Sequence, residues 1–153
     1  MSTKAANILQ PGLATTVQDL GRHGYQRYGV PPSGALDPLA LRVGNALVGN
    51  SDSSACLEMT MKGPDLRLLV DTWFAVTGAA FPVTLNGEPV PQWETVRGQE
   101  GSVLSIGEAA TGTRGYLALA GGIDVPVVMG SRSTHLGSRL GGIEGRSLEI
   151  GDL

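Results

Sequence analysis

Ala55-Cys56-Leu57-Glu58-Met59-Thr60-Met61 alternates with the period of two that belongs to a β-strand. Ala55, Leu57, Met59 and Met61 fall on one face, Glu58 and Thr60 on the other, which is the pattern of a half-buried strand. Gly63-Pro64-Asp65 then turns the chain, and Leu66, Leu68 and Val70 resume the alternation, so a hairpin between the two runs is expected. Trp73 to Thr77 reads as a further strand. Val83-Thr84-Leu85 followed by Asn86-Gly87 is a strong hairpin signal, because both turn residues tolerate the left-handed backbone of a type I′ turn. Ser102 to Ile106, Arg114 to Ala120, Val125 to Met129 and Ser147 to Ile150 are similar short runs between glycines. About eight strands are expected, at the spacing of a barrel or sandwich.

One segment breaks this rhythm. In Asp37-Pro38-Leu39-Ala40-Leu41-Arg42-Val43-Gly44-Asn45-Ala46-Leu47-Val48-Gly49, Asp37 can cap a helix, Pro38 suits its first position and Gly49 its left-handed end. Leu39, Val43, Ala46 and Leu47 form the stripe expected to face the core, so one amphipathic helix should plug or flank the β structure. The chain has 153 residues, 41% hydrophobic, and shows no repeat or linker, so residues 1–153 read as one module of all-β class with one or two helices. Its 23 glycines have no three-residue period, which excludes collagen and implies many tight turns.

Charge and cysteine content narrow the function classes. Eleven Lys and Arg against 14 Asp and Glu give a net charge of -3, with no basic run, so nucleic acid is not an expected partner. No run approaches the roughly 18 apolar residues of a membrane span. The single cysteine, Cys56, cannot form an internal disulfide, and Met1 to Asn7 lack a signal-peptide stretch, so a cytoplasmic setting is expected. His23, His135 and Cys56 cannot make a zinc set at any standard spacing, and no metal site is expected. Ser33 stands in Pro-Ser-Gly, not in a G-x-S-x-G elbow, and no catalytic residue can be assigned.

Three segments carry more polar chemistry than turns require: Thr15 to Arg22, Pro31 to Asp37, and Gly130 to Thr134. Gln18, Asp19 and Arg22 supply an amide, an acceptor and a cation where a strand enters a glycine turn. They can grip a small polar substrate, or Asp19 and Arg22 can pair with each other across the turn. Arg132 joins a guanidinium to the hydroxyls of Ser131, Ser133 and Thr134, able to hold a carboxylate or phosphate, although residue types alone favour a solvated loop. Asp37 is explained by its capping place.

Taken in order, the segments resemble one family: allophanate hydrolase subunit 2, the KipA-like proteins, also known as the 5-oxoprolinase C subunit and as a biotin-dependent carboxyltransferase domain. The resemblance rests on Pro11 to Arg22, Gly24-Tyr25, Gly29-Val30-Pro31, Ser33 to Asp37, Asn45 to Asn50 and Leu57-Glu58. It continues through Gly63-Pro64, Thr77-Gly78-Ala79, Arg114 to Ala118, Gly121-Gly122-Ile123 and Gly130 to Thr134.

The resemblance implies a cyclophilin-like β-barrel. It also implies a subunit 1, or KipI-like, partner and a possible lactamase-like subunit. The activity implied is ATP-dependent cleavage of 5-oxoproline, or carboxyl transfer from carboxybiotin to urea. No cofactor is expected on this chain itself; ATP or carboxybiotin belongs to the full complex. Substrate, a small amide or lactam, is expected to be bound by Gln18, Asp19, Arg22, Ser33, Arg132, Ser133 and Thr134, gathered around one shared hollow. Members of the family usually run to about twice this length, so the chain matches an amino-terminal half, is expected to be inactive alone, and invites self-association through uncovered surface. The competing reading is a non-catalytic module that binds a KipI-like kinase inhibitor.

Overall fold

In the computed structural model, which describes residues 3–153, the alternating run is strand β3 (Cys56–Thr60). Leu57 and Met59 are buried in the core, and Glu58 points the other way. Around it lie β1 (Ala6–Gln10), β2 (Ala14–Gln18), β4 (Asp65–Leu68), β5 (Thr72–Ala80), β6 (Val83–Leu85), β7 (Glu88–Pro89), β8 (Val96–Gly98), β9 (Val103–Ile106) and β10 (Thr111–Leu119). One α-helix, α1 (Pro38–Leu47), and a 3-10 turn at Gln26–Tyr28 complete the all-β class expected. Two antiparallel five-stranded sheets result, ordered β1-β4-β9-β6-β7 and β2-β3-β10-β5-β8. Ile8, Leu66, Leu68, Leu104 and Ile106 of the first sheet meet Val17, Leu57, Met59, Phe74, Val76 and Leu117 of the second in one apolar core.

The expected hairpin of β3 and β4 does not form, because β3 pairs with β2 and β10 while β4 pairs with β1 and β9. Alternation fixes which face a strand buries, not which ladder it joins. Met61, at φ 60°, and Gly63, where a Cβ would collide with Ile106, carry the chain across the core from one sheet to the other. Met61 is therefore exposed, against the reading that put it on the buried face. The Asn86-Gly87 turn is as expected, with φ values of 52° and 84° joining β6 to β7. Val125 to Met129 and Ser147 to Ile150 are not strands: Val128 pairs with Ser131 alone, in an isolated bridge, and Leu148 N donates to Thr15 O at 2.9 Å.

Helix α1 flanks the outer face of the second sheet. Asp37 caps it by accepting from Ala40 N at 3.0 Å, with Pro38 in the first turn and Gly49 left-handed beyond its end. The face turned to the sheet differs from the expected stripe: Ala40, Leu41, Gly44 and Asn45 are buried, whereas Leu39 is 70% exposed. The reason is close approach. A Cβ at Gly44 would lie 3.2 Å from Thr77 Oγ1, and that hydroxyl donates to Ala40 O at 2.7 Å, so the helix seats on its small residues against β5 and β10.

Candidate functional site

Strand β2 ends at Gln18, and the chain then turns sharply at Asp19-Leu20-Gly21-Arg22. The Asp19 carboxylate lies at the centre of the polar residues singled out in the sequence. Its Oδ1 accepts from Gly21 N (2.8 Å), Ser131 Oγ (2.6 Å) and Ser133 Oγ (2.7 Å), and its Oδ2 from Arg132 N (2.6 Å). Burial acts to raise the carboxyl, but the bonds from Ser131, Ser133, Arg132 N and Gly21 N together outweigh it and hold the group below the ordinary Asp value. Asp19 is thus an ionised clasp between two chain segments more than a hundred residues apart.

Arg22 is wholly buried and does not pair with Asp19, which corrects the alternative of a contact across the turn. Its Nε donates to Val128 O and its Nη2 to Ser133 O, both at 2.9 Å, while Nη1 has no partner among the described residues. The two side chains grip Ser133 separately, one through its hydroxyl and one through its carbonyl. Gln18 extends the clasp: Nε2 donates to Thr134 O (3.0 Å) and Thr16 Oγ1 (3.1 Å), and Oε1 accepts from Gly34 N (3.1 Å). Thr134 Oγ1 in turn donates to Val17 O at 3.0 Å. Ser33, at φ 53°, is half-buried, with an Oγ that finds no partner among the described residues.

The three polar segments therefore meet, as expected, but they interlock; they do not line one shared hollow. Gln18, Asp19, Arg22, Ser133 and Thr134 are all buried. Alternation along Ser131-Arg132-Ser133 supplies the reason, since two inward serines force the arginine between them outward. Arg132 Nε donates to Val125 O at 3.0 Å, its Nη2 lies 3.9 Å from Asp124, and 39% of its side chain is exposed. It faces a hollow of about 570 Å³ lined also by Ser54, Asp71, Thr72, Trp73 and Gly121, which Arg22 does not reach. That volume suits a small ligand. An adjoining apolar hollow of about 380 Å³ is lined by Ile8, Leu57, Leu66, Leu119, Ile123 and Leu148.

Residues 28–153 match the family described as carboxyltransferase domain, subdomain A and B. The chain belongs to this family. The carboxyltransferase domain is 45% identical over 145 residues to the 5-oxoprolinase C subunit of Escherichia coli, covering 95% of this chain and 47% of that protein. It is 43% identical over 150 residues to the urea amidolyase of Saccharomyces cerevisiae, covering 97% of this chain and 8% of the larger one. The crystal structure of the Kluyveromyces lactis urea amidolyase superimposes with a TM-score of 0.95 at 44% identity, covering 99% of this chain and 9% of that one. The chain thus spans about half the length of the bacterial relative and under a tenth of the yeast ones.

Other chemistry in this carboxyltransferase domain is accounted for by packing. Cys56, on the outer face of β3, lies 3.4 Å from Asn45 Oδ1, and burial pushes its thiol up to about 12. Among the described residues no group of three or more His, Cys, Asp or Glu side chains is placed to hold a metal ion, and no helix is long and apolar enough to cross a membrane. Sequence reasoning missed Trp73 and Asp124 beside Arg132, because nothing in their local pattern says that the ends of distant strands share a hollow.

Proposed function

We propose that this domain is the substrate-binding part of a multi-subunit or multidomain enzyme acting on a small amide or lactam, of the 5-oxoprolinase or biotin-dependent carboxyltransferase kind. The observation that carries the reading is the clasp itself. Gln18, Asp19, Arg22, Ser133 and Thr134 are used up in fixing the 131–134 segment, and the one group this rigid arrangement delivers to an open hollow is the Arg132 guanidinium. A fixed guanidinium orients a carboxylate or a carbonyl and stabilises negative charge that develops on it. Ser33, held by the neighbouring Gly34 bond to Gln18, belongs to the same rigid unit.

Among the described residues Arg132 is the only Lys or Arg lining the hollow, and Asp71 and Asp124 stand beside it. With two carboxylates against one guanidinium the lining carries no excess positive charge, which disfavours a triphosphate and suits a neutral amide or urea whose carbonyl accepts from Arg132. ATP or carboxybiotin is assigned to the full complex and not to this chain. The partners proposed are a subunit 1 (KipI-like) chain and a second carboxyltransferase half.

Co-expression of this chain with those partners tests the reading. ATP-dependent turnover of 5-oxoproline, or carboxylation of urea, is expected in the assembled complex. Loss of the Arg132 contact is worth about 1.5–3 kcal/mol, or roughly 10–150-fold in kcat/KM, for Arg132→Ala. Turnover indifferent to that substitution removes Arg132 from the site.

A further inference from the structure

Residues 45–50 close helix α1 and do not line the Arg132 hollow, yet two of their side chains are tied to residues that do. Asn45 is wholly buried and Asn50 half-buried. Gly121 N donates to Asn50 Oδ1 at 2.8 Å, Asn50 Nδ2 to Asn45 Oδ1 at 3.1 Å, and Asn45 Nδ2 to Ser54 O at 2.8 Å. Every donor in this series points the same way, so each bond polarises the next. Gly121 and Ser54, at its two ends, both line the hollow that Arg132 faces.

The helix end does not need these side chains. Backbone bonds from Val48 N and Asn50 N to Asn45 O, and from Gly49 N to Ala46 O, already close it. The amides serve the chain beyond: Asn50 Nδ2 also donates to Leu119 O at 2.8 Å, and Asn45 Oδ1 also accepts from Cys56 Sγ at 3.4 Å. A group with both donors and an acceptor is required at each position, which an amide supplies and a carboxylate does not. The wall they reach has little else to hold it. Gly121 and Gly122 are successive left-handed glycines, at φ 90° and 75°, and a Cβ at Gly121 would meet nothing within 4 Å. With no side chain to pack there, the place of Gly121 depends on its bond to Asn50.

We infer that Asn50, acting with Asn45, is a positioning residue for the Arg132 hollow. The pair of amides fixes the spacing of Gly121, just beyond the end of β10, from Ser54, just before β3. Neither asparagine touches a ligand. Arg132 supplies the polar contact, and the relay keeps the glycine wall from giving way when the hollow is filled. The inference rests on the role proposed above for that hollow, and it makes the end of helix α1 part of the site.

The experiment has two readouts. In the assembled complex, Asn50→Ala is expected to raise KM about tenfold with kcat held within about twofold, because a binding wall is displaced while the remaining chemistry is intact. A merely structural role would deplete folded protein and lower kcat at unchanged KM. Asn50→Asp keeps an oxygen for Gly121 N but sets an acceptor against Asn45 Oδ1 and Leu119 O; the same KM effect is expected of it, and it replaces the alanine variant should that one fail to fold. In proton–nitrogen NMR of the 153-residue chain, the substitution is expected to move the Gly121 and Ser54 amides and the Trp73 indole signal, leaving the Asn86-Gly87 turn in place. Unchanged KM, or shifts that stop at Leu119 and Gly121 and spare Ser54 and Trp73, overturns the inference. Failed turnover with the parent chain refutes the proposed function instead, and the NMR shifts then decide the relay by themselves.

Discussion

Asp19→Asn separates a clasp from a decoration. Asparagine can keep its oxygen where Oδ1 now accepts from Gly21 N, Ser131 Oγ and Ser133 Oγ, but its amide nitrogen then replaces Oδ2 and meets the Arg132 N–H, donor against donor. The loss comprises one charge-assisted bond, a backbone donor left without a partner in a region where Asp19 is only 8% exposed, and weakening of the other three bonds. These amount to about 2–4 kcal/mol, or roughly 5–15 °C in Tm for a domain of this size. Urea unfolding at neutral pH, with thermal melts alongside, measures it. The pH dependence supplies a second readout. Because the Asp19 carboxyl lies below its ordinary value in the native state, its contribution is complete above the unfolded-state value of about 3.9 and is lost as pH falls through the lowered native value. The stability gap between parent and variant is therefore expected to close in strong acid. A difference below about 0.5 kcal/mol at neutral pH, the size of an ordinary surface change, or a gap that is the same at pH 2 and pH 7, refutes the clasp.

Other substitutions probe the frame that carries it. With its thiol pushed up to about 12, Cys56 is expected to resist thiol reagents in the native chain at pH 8 and to react on unfolding; prompt native labelling contradicts its burial. Gly44→Leu is expected to cost about 1–3 kcal/mol by overpacking against Thr77 and Ala118, despite a gain of about 1 kcal/mol in helix propensity, and an unchanged urea midpoint would displace α1 from its seat. Asn86→Ala removes the bond from Val103 N to Asn86 Oδ1 (2.8 Å) and places a Cβ-bearing residue without a polar side chain at φ 52°. A loss of about 1–2 kcal/mol is expected in the same assay.

Elements with a local cause were legible in the sequence. The Asn86-Gly87 turn, the Asp37 cap with Pro38, and the inward Leu57 and Met59 depend on a few adjacent residues, and each formed as read. The pairing of β3 was not legible, since its partners come from residues 14–18 and 111–119. Strand β1, with Ile8 alone fully buried, carries too little alternation to be seen. The helix stripe misled because Leu39 and Ala46 satisfy periodicity on paper, while the seat against Thr77 admits only a glycine. For the site, the clustering of the three polar segments could be anticipated from their composition. Which of their side chains turn inward could not, because the orientation of Arg132 is set by its two serine neighbours reaching for Asp19.

The bonds from Asp19 to Ser131 and Ser133 span 112 and 114 positions of the chain. Closing a loop of that length costs entropy that nothing nearby in sequence repays, so the surrounding ladders must assemble first. During synthesis both sheets can be complete, since β10 ends at Leu119, before the Gly130 to Thr134 segment leaves the ribosome. The clasp accordingly closes only after the ladders that bring its two segments together, and a chain arrested before Gly130 would hold both sheets with Asp19 still unclasped.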